Sequence, residues 1–239
     1  MAWQSILGIA IMVIGFAGVL VAAKLRMESI AIVFAIVMLG GLGFYGWFYM
    51  NPPPDMSYQV FGKAVAKKIG EEVKKSGASK VVWVTSDGTS DYSKACFEIF
   101  KAAAGGNAEM VATADSESGS IDLTVEKLKE ILGSCGAGDA VVLDVGCSMI
   151  DVKNIDFLKK GYKGPKIFLT GNGNIMGVDF KVLANAYKSG AIVASVIALD
   201  NIDAEFKPDE DKLDEAFSKR YAIVTKENID QYKDKINMP

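Results

Sequence analysis

Small polar and acidic residues gather where short apolar segments of this chain end. Ser86 and Asp87, Asp115, Asp144, Ser148, Asn172 and Asn174, and Asp200 all occupy such places. Carboxylates brought to one edge are the oxygen ligands that Mg²⁺ or Ca²⁺ takes. Serine and asparagine among them can hydrogen-bond a small polar ligand. The same residue types also supply turns and helix caps, so both readings stand. Asp144 precedes Val145 inside its segment, and spacing alone does not give its direction. The ligand-binding candidates are Ser86, Asp87, Asp115, Ser148, Asn172 and Asn174; no metal set is assigned.

Other chemistry is excluded by composition. The 239 residues include no histidine. That removes Ser-His-Asp and Cys-His catalysis and His-ligated metals, and it removes the commonest acid–base group near neutral pH. No G-x-G-x-x-G opens a helix after the first expected strand, 80–85, and no G-x-x-x-x-G-K-[ST] or G-x-S-x-G occurs. Gly171-Asn172-Gly173 is half of a dinucleotide fingerprint, placed late in the chain. The three cysteines, Cys96, Cys135 and Cys147, show no C-x-x-C spacing and read as small buried hydrophobes. A net charge of −3 is no footprint for nucleic acid. No catalytic residue and no cofactor is expected.

The elements that must position these residues alternate. Residues 58–76 carry an amphipathic helix: Val60, Phe61, Ala64, Val65, Ile69 and Val73 form one stripe, with lysines and glutamates opposite. Strands are expected at 80–85, 109–114, 140–145, 166–170, 191–199 and 222–224. Helices are expected at 90–104, 121–132, 155–160, 178–188, 212–220 and 228–235. Alternation of this kind implies βαβ units and a mostly parallel sheet covered on both faces. The fold class is α/β, a three-layer αβα Rossmann-like domain. In such sheets ligands sit outside the carboxyl ends of the strands, where the candidates fall.

Ahead of this domain lie two uncharged apolar runs, 5–23 and 29–50, joined by Lys24-Leu25-Arg26-Met27-Glu28. Each is about the ~20 residues a membrane-spanning helix needs. Met1-Ala2-Trp3-Gln4 has no Lys or Arg, so the basic n-region of a signal peptide is missing and an uncleaved helix is expected. The expected organisation is a transmembrane hairpin at 1–50, a Pro-rich spacer at 51–56 and an α/β domain at 57–239. Lys24 and Arg26 in the short connector favour a cytoplasmic loop. That puts the domain on the periplasmic or extracytoplasmic side of the inner membrane. Gly8, Gly15 and Gly18 recur on one face of the first run, and Gly40, Gly43 and Gly46 crowd the end of the second. Small residues let helix backbones approach in lipid, either within the hairpin or against membrane-embedded partners or a second copy. No charge inside either run supplies an ion path.

The domain also resembles the C-terminal lobe of the periplasmic sugar-binding proteins of the type I solute-binding fold. The resemblance covers most of 80–235. It rests on 80–85 as opening strand, 93–102 as first helix, Gly164-Pro165-Lys166-Ile167-Phe168-Leu169-Thr170-Gly171 leading to a ligand loop, Lys188-Ser189-Gly190-Ala191 between helix and strand, and the closing Val224-Thr225-Lys226-Glu227-Asn228-Ile229-Asp230. The family closes two lobes on its ligand, whereas one lobe's worth of chain is present. The family's Arg, Asn-Asp pair and Asp are replaced by Ser93, Val145-Gly146 and Gly171-Asn172. The resemblance therefore implies a degenerate lobe. Two functions are carried forward. One is a non-enzymatic membrane-complex subunit that uses the lobe for assembly. The other is a membrane-tethered binding or sensing protein for a small sugar-like ligand, its cleft completed by oligomerisation.

Overall fold

The computed structural model describes residues 3–50, 57–113, 123–145, 154–171, 178–199 and 206–233. The chain divides into two compact units, Met1–Asp55 and Met56–Pro239.

The first unit is a helical hairpin of α1 (Trp3–Lys24) and α2 (Glu28–Met50). Leu7–Lys24 and Glu28–Trp47 have mean hydropathies of 2.2 and 2.0 and are long and apolar enough to cross a membrane. A soluble core helix would bury such residues. Here Val13, Phe16, Leu20, Ile32, Ile36 and Leu39 are each more than half exposed. Arg26, at φ 58, makes the turn. The Met27 N–H reaches Ala22 O at 2.9 Å and the Arg26 N–H reaches Ala23 O at 3.1 Å, the paired bonds of a Schellman cap.

The glycines of the hairpin divide into two sets. A Cβ on Gly15 would lie 2.6 Å from the Met38 backbone nitrogen, and one on Gly41 would lie 2.8 Å from that of Met12. Gly8 meets Tyr45 and Gly18 meets the Phe34 ring. These four let α1 and α2 pack closely. Gly40, Gly43 and Gly46 have nothing within 4 Å of a built Cβ and face away from α1.

The second unit is α/β. Its elements run α3 (Ser57–Ser76), β1 (Val81–Thr85), α4 (Asp91–Ala104), β2 (Ala108–Ala112), α5 (Val125–Gly133), β3 (Ala140–Asp144), β4 (Lys166–Leu169), α6 (Phe180–Lys188), β5 (Ile192–Ala198), α7 (Leu213–Arg220) and β6 (Tyr221–Thr225). The sheet order is β2-β1-β3-β4-β5-β6. The first five strands are parallel and β6 pairs antiparallel with β5. From β1 the chain steps one way to β2 and then back across to β3, so the order reverses between β1 and β3.

Side chains alternate across the sheet, and each face has its own core. Val82, Val84, Val141, Leu143, Ile167 and Leu169 pack with α5 and α6. Val81, Trp83, Ala140, Val142, Phe168 and Val196 pack with α3, α4 and α7. The central strands are consequently apolar over most of their length, as expected of a sheet covered on both sides. Where α3 crosses α4, a Cβ on Gly70 would sit 2.7 Å from the Phe100 carbonyl oxygen and from Ala103 Cβ. Helix starts follow side-chain caps. Ser90 Oγ accepts from the Ser93 N–H at 3.2 Å, and Thr124 Oγ1 accepts from the Lys127 N–H at 3.2 Å.

Most boundaries shift by one or two residues from the sequence reading, and three helices differ by more. The helix expected from 121 starts at Val125 because Thr124 caps it. The helix expected at 155–160 is a single 3-10 turn, Asp156–Leu158. Ile155 and Phe157 are both fully buried, and a spacing of two does not share one α-helical face. The helix expected at 228–235 is a 3-10 turn, Ile229–Tyr232, within the described residues. There the Asn228 side chain turns back, accepting from the Thr225 N–H at 2.8 Å and donating to Ile223 O at 2.9 Å.

Candidate functional site

The strand register settles the direction of Asp144. It lies two residues past Val142 and pairs with Thr85 of β1, so it shares the face of Ala140, Val142 and Trp83. That face is covered by α3, α4 and α7. An acidic residue there must enter the space between sheet and helices. It lines a cavity of about 290 Å³ with Tyr58, Gly62, Val65, Trp83, Tyr92, Cys96, Thr170 and Tyr221. The cavity sits at the carboxyl ends of β1, β3 and β4, beside the reversal of strand order, where α/β sheets place ligands.

Each wall has a local cause. Thr170 directly follows β4, and its Oγ1 donates to Asp144 Oδ1 at 2.7 Å. Tyr92 comes from the first turn of α4, and its phenol lies over the α3 backbone at Gly62, where a Cβ would overlap the phenol oxygen. Tyr58 meets Tyr92 edge-on, with ring centroids 5.9 Å apart. Trp83 stacks at 4.5 Å on Phe100. Its Nε1 is buried and finds no acceptor among the described residues. A buried donor of that kind calls for a partner.

The electrostatics are those of an uncompensated carboxyl. Burial pushes Asp144 up from 3.8 to about 6, and the Thr170 hydrogen bond only partly opposes this. No lysine or arginine lines the cavity among the described residues. Of the basic groups on neighbouring elements, Lys63 pairs with Glu210 at 2.7 Å, and the Arg220 guanidinium lies 4.6 Å from the Phe61 ring centroid with its Nε buried and without an acceptor among the described residues. Burial likewise raises the Cys96 thiol to about 11, against the opposing pull of its Tyr92 hydrogen bond. Burial raises the Tyr92 phenol as well. The thiol is therefore neutral near pH 7 and a poor nucleophile.

Of the residues singled out by sequence, Ser86 and Asp87 follow β1. Asp87 is occupied by its own loop. Its Oδ1 accepts from the Thr89 N–H and the Thr89 hydroxyl, both at 2.7 Å, and its Oδ2 accepts from the Ser90 N–H at 3.3 Å. These bonds hold its carboxyl down at about 2. Neither Ser86 nor Asp87 lines the cavity. Asp115, Ser148, Asn172, Asn174 and Asp200 lie outside the described residues. No group of three or more His, Cys, Asp and Glu able to hold a metal occurs among the described residues. Sequence reasoning did not single out Trp83, Tyr92, Thr170 or Tyr221. Available signals were an acidic residue at the end of a central strand, and a tryptophan on the same face of the neighbouring strand, two residues before the Thr85 that pairs with Asp144.

A larger groove of about 580 Å³ runs beside Lys159 and α6, but its lining carries no carboxyl, aromatic or thiol group. In comparison with known proteins, no family model, no curated protein and no solved structure matches this chain.

Proposed function

We propose that this chain is a membrane-anchored, non-enzymatic receptor whose α/β domain binds a small molecule in the Asp144 cavity. The observation that carries this is a carboxyl without a cationic partner among the described residues, set among aromatic rings at the point where strand order reverses. A volume near 290 Å³ is at the small end of the ~300–1,000 Å³ usual for ligand pockets. That suits a compound the size of an amino acid or small amine better than an oligomer. A binding role is favoured over catalysis because the carboxyl has no second ionised group beside it and the neighbouring thiol is held neutral.

The resemblance of residues 80–235 to one lobe of the solute-binding fold supports the same reading, and the domain is taken as Rossmann-like and three-layered. The hairpin is read as an integral inner-membrane anchor. Lys24 and Arg26 in its connector favour a domain outside the cytoplasm. Labelling of a cysteine introduced after Pro54 by a membrane-impermeant reagent tests that side.

The direct test of binding is thermal unfolding of the full chain in mild detergent against small polar metabolites and sugars, run beside Gly62→Ala. A ligand at ~100 times its Kd adds about 2.7 kcal/mol. At least one compound should raise Tm in the wild type and not in the variant. If none does so, the proposal fails.

A second reading, assembly with membrane-embedded partners or a second copy, is favoured by one observation. Gly40, Gly43 and Gly46 lie on a face of α2 that α1 does not use. Native purification or crosslinking that yields only monomer speaks against it.

A further inference from the structure

We infer that the Asp144 cavity selects a small organic ammonium group, held between the carboxylate and the surrounding aromatic rings. This rests on reading the cavity as a ligand site and adds the chemical class of its occupant. Among the lining side chains Asp144 is the one carboxyl, and no lysine or arginine accompanies it. An ionised carboxylate withdrawn from water needs a counter-charge. Among the described residues its hydrogen-bond partner is the Thr170 hydroxyl, at 2.7 Å.

Four rings, those of Tyr58, Trp83, Tyr92 and Tyr221, share the same wall. Aromatic faces attract ammonium groups within ~6 Å of the ring centroid, which is how quaternary ammonium compounds are recognised. An anion would meet the carboxylate unscreened. A sugar would leave the charge uncompensated. A bare metal ion is disfavoured because hard cations take about six or more oxygen ligands, whereas the cavity offers one carboxylate and a few hydroxyls. The ammonium group can belong to a free solute or to a lipid headgroup, and the chemistry of recognition is the same.

The test uses the full chain in a maltoside detergent, titrated calorimetrically with choline, ethanolamine, glucose, potassium chloride and dimethylbutanol, the neutral carbon isostere of choline. Choline or ethanolamine should bind at least about tenfold more tightly than dimethylbutanol, a difference of ~1.4 kcal/mol. Asp144→Asn should abolish that preference while the protein stays folded by circular dichroism. Gly62→Ala, which displaces Tyr92, should weaken every ligand.

Equal binding of choline and dimethylbutanol, unaltered by Asp144→Asn, overturns the ammonium inference and leaves the ligand site standing. Tight binding of glucose or potassium alone does the same. If no compound binds in a Gly62-dependent way, both the inference and the site are lost. Repeating the choline titration in phosphatidylglycerol nanodiscs, with and without phosphatidylethanolamine, separates the sources. Competition by the lipid assigns the headgroup, and its absence assigns a free solute.

Discussion

Replacing Asp144 with asparagine should stabilise this protein at neutral pH, the reverse of what losing a paired aspartate does. The rise from 3.8 to about 6 is about two pKa units, each worth ~1.4 kcal/mol. Asp144 keeps part of its surface in contact with solvent, so the ionised side chain costs the native state at most about 3 kcal/mol. The sign follows from proton binding. Native Asp144 holds its proton more tightly than the unfolded chain does, so stability falls as pH rises between the two values. The favourable contribution is complete below pH ~4 and gone above pH ~7. Asparagine keeps an oxygen for the Thr170 hydroxyl and does not titrate. Thermal unfolding of the full chain in detergent should thus show Asp144→Asn higher in Tm by about 5–10 °C at pH 7.5, and level with wild type at pH 4. A variant less stable than the wild type at pH 7.5 but level with it at pH 4 would refute the reasoning. It would mean that Asp144 is held by a counter-charge.

Other consequences concern neighbouring residues. Thr170→Val removes the donor to the carboxylate, so it should cost about 2 kcal/mol at pH 7.5 and less at pH 4 in the same unfolding assay. Gly70→Ala brings a Cβ to 2.7 Å from the Phe100 carbonyl. Despite a gain of ~1 kcal/mol in helix propensity, it should lower stability by about 1–3 kcal/mol, read by urea denaturation. Asp214→Asn breaks contacts of 2.7 and 2.8 Å with Lys67 and Lys68, but the carboxylate is largely exposed. The loss should stay under about 1 kcal/mol and shrink at high salt. In the hairpin, Gly15→Leu should disrupt α1–α2 packing. Gly43→Leu should leave it intact and change only the oligomer seen by crosslinking in membranes.

Much of the α/β unit was legible because burial on both faces forces largely apolar central strands, and Ser90 and Gly105 bound α4 in the usual way. The exceptions were local. Ile155 and Phe157 sit at a spacing that an α-helix does not bury, and the Asn228 side chain folds back onto β6. The site was only half legible. Asp87 looks the same in sequence as Asp144, yet one is consumed by a loop and the other enters a cavity. What distinguishes them is strand register, which depends on pairing between β1 and β3 rather than on either segment alone. Tyr92 and Tyr221 reach the cavity because Gly62 and the antiparallel β6 bring separate helices and strands together, a long-range fact with no local sequence mark. In the hairpin the small residues were plain, but only packing separates Gly41, turned toward α1, from Gly40, turned away.

The most direct test of ligand binding uses the indole in the cavity wall. The chain has three tryptophans, Trp3, Trp47 and Trp83, so Trp3→Phe with Trp47→Phe leaves Trp83 as the sole emitter. In the reconstituted full chain, titration with choline or ethanolamine should change Trp83 emission saturably, and Asp144→Asn should weaken that response at least about tenfold. Emission that stays constant across the titration, or that changes equally in the variant, would contradict a ligand bound at Asp144.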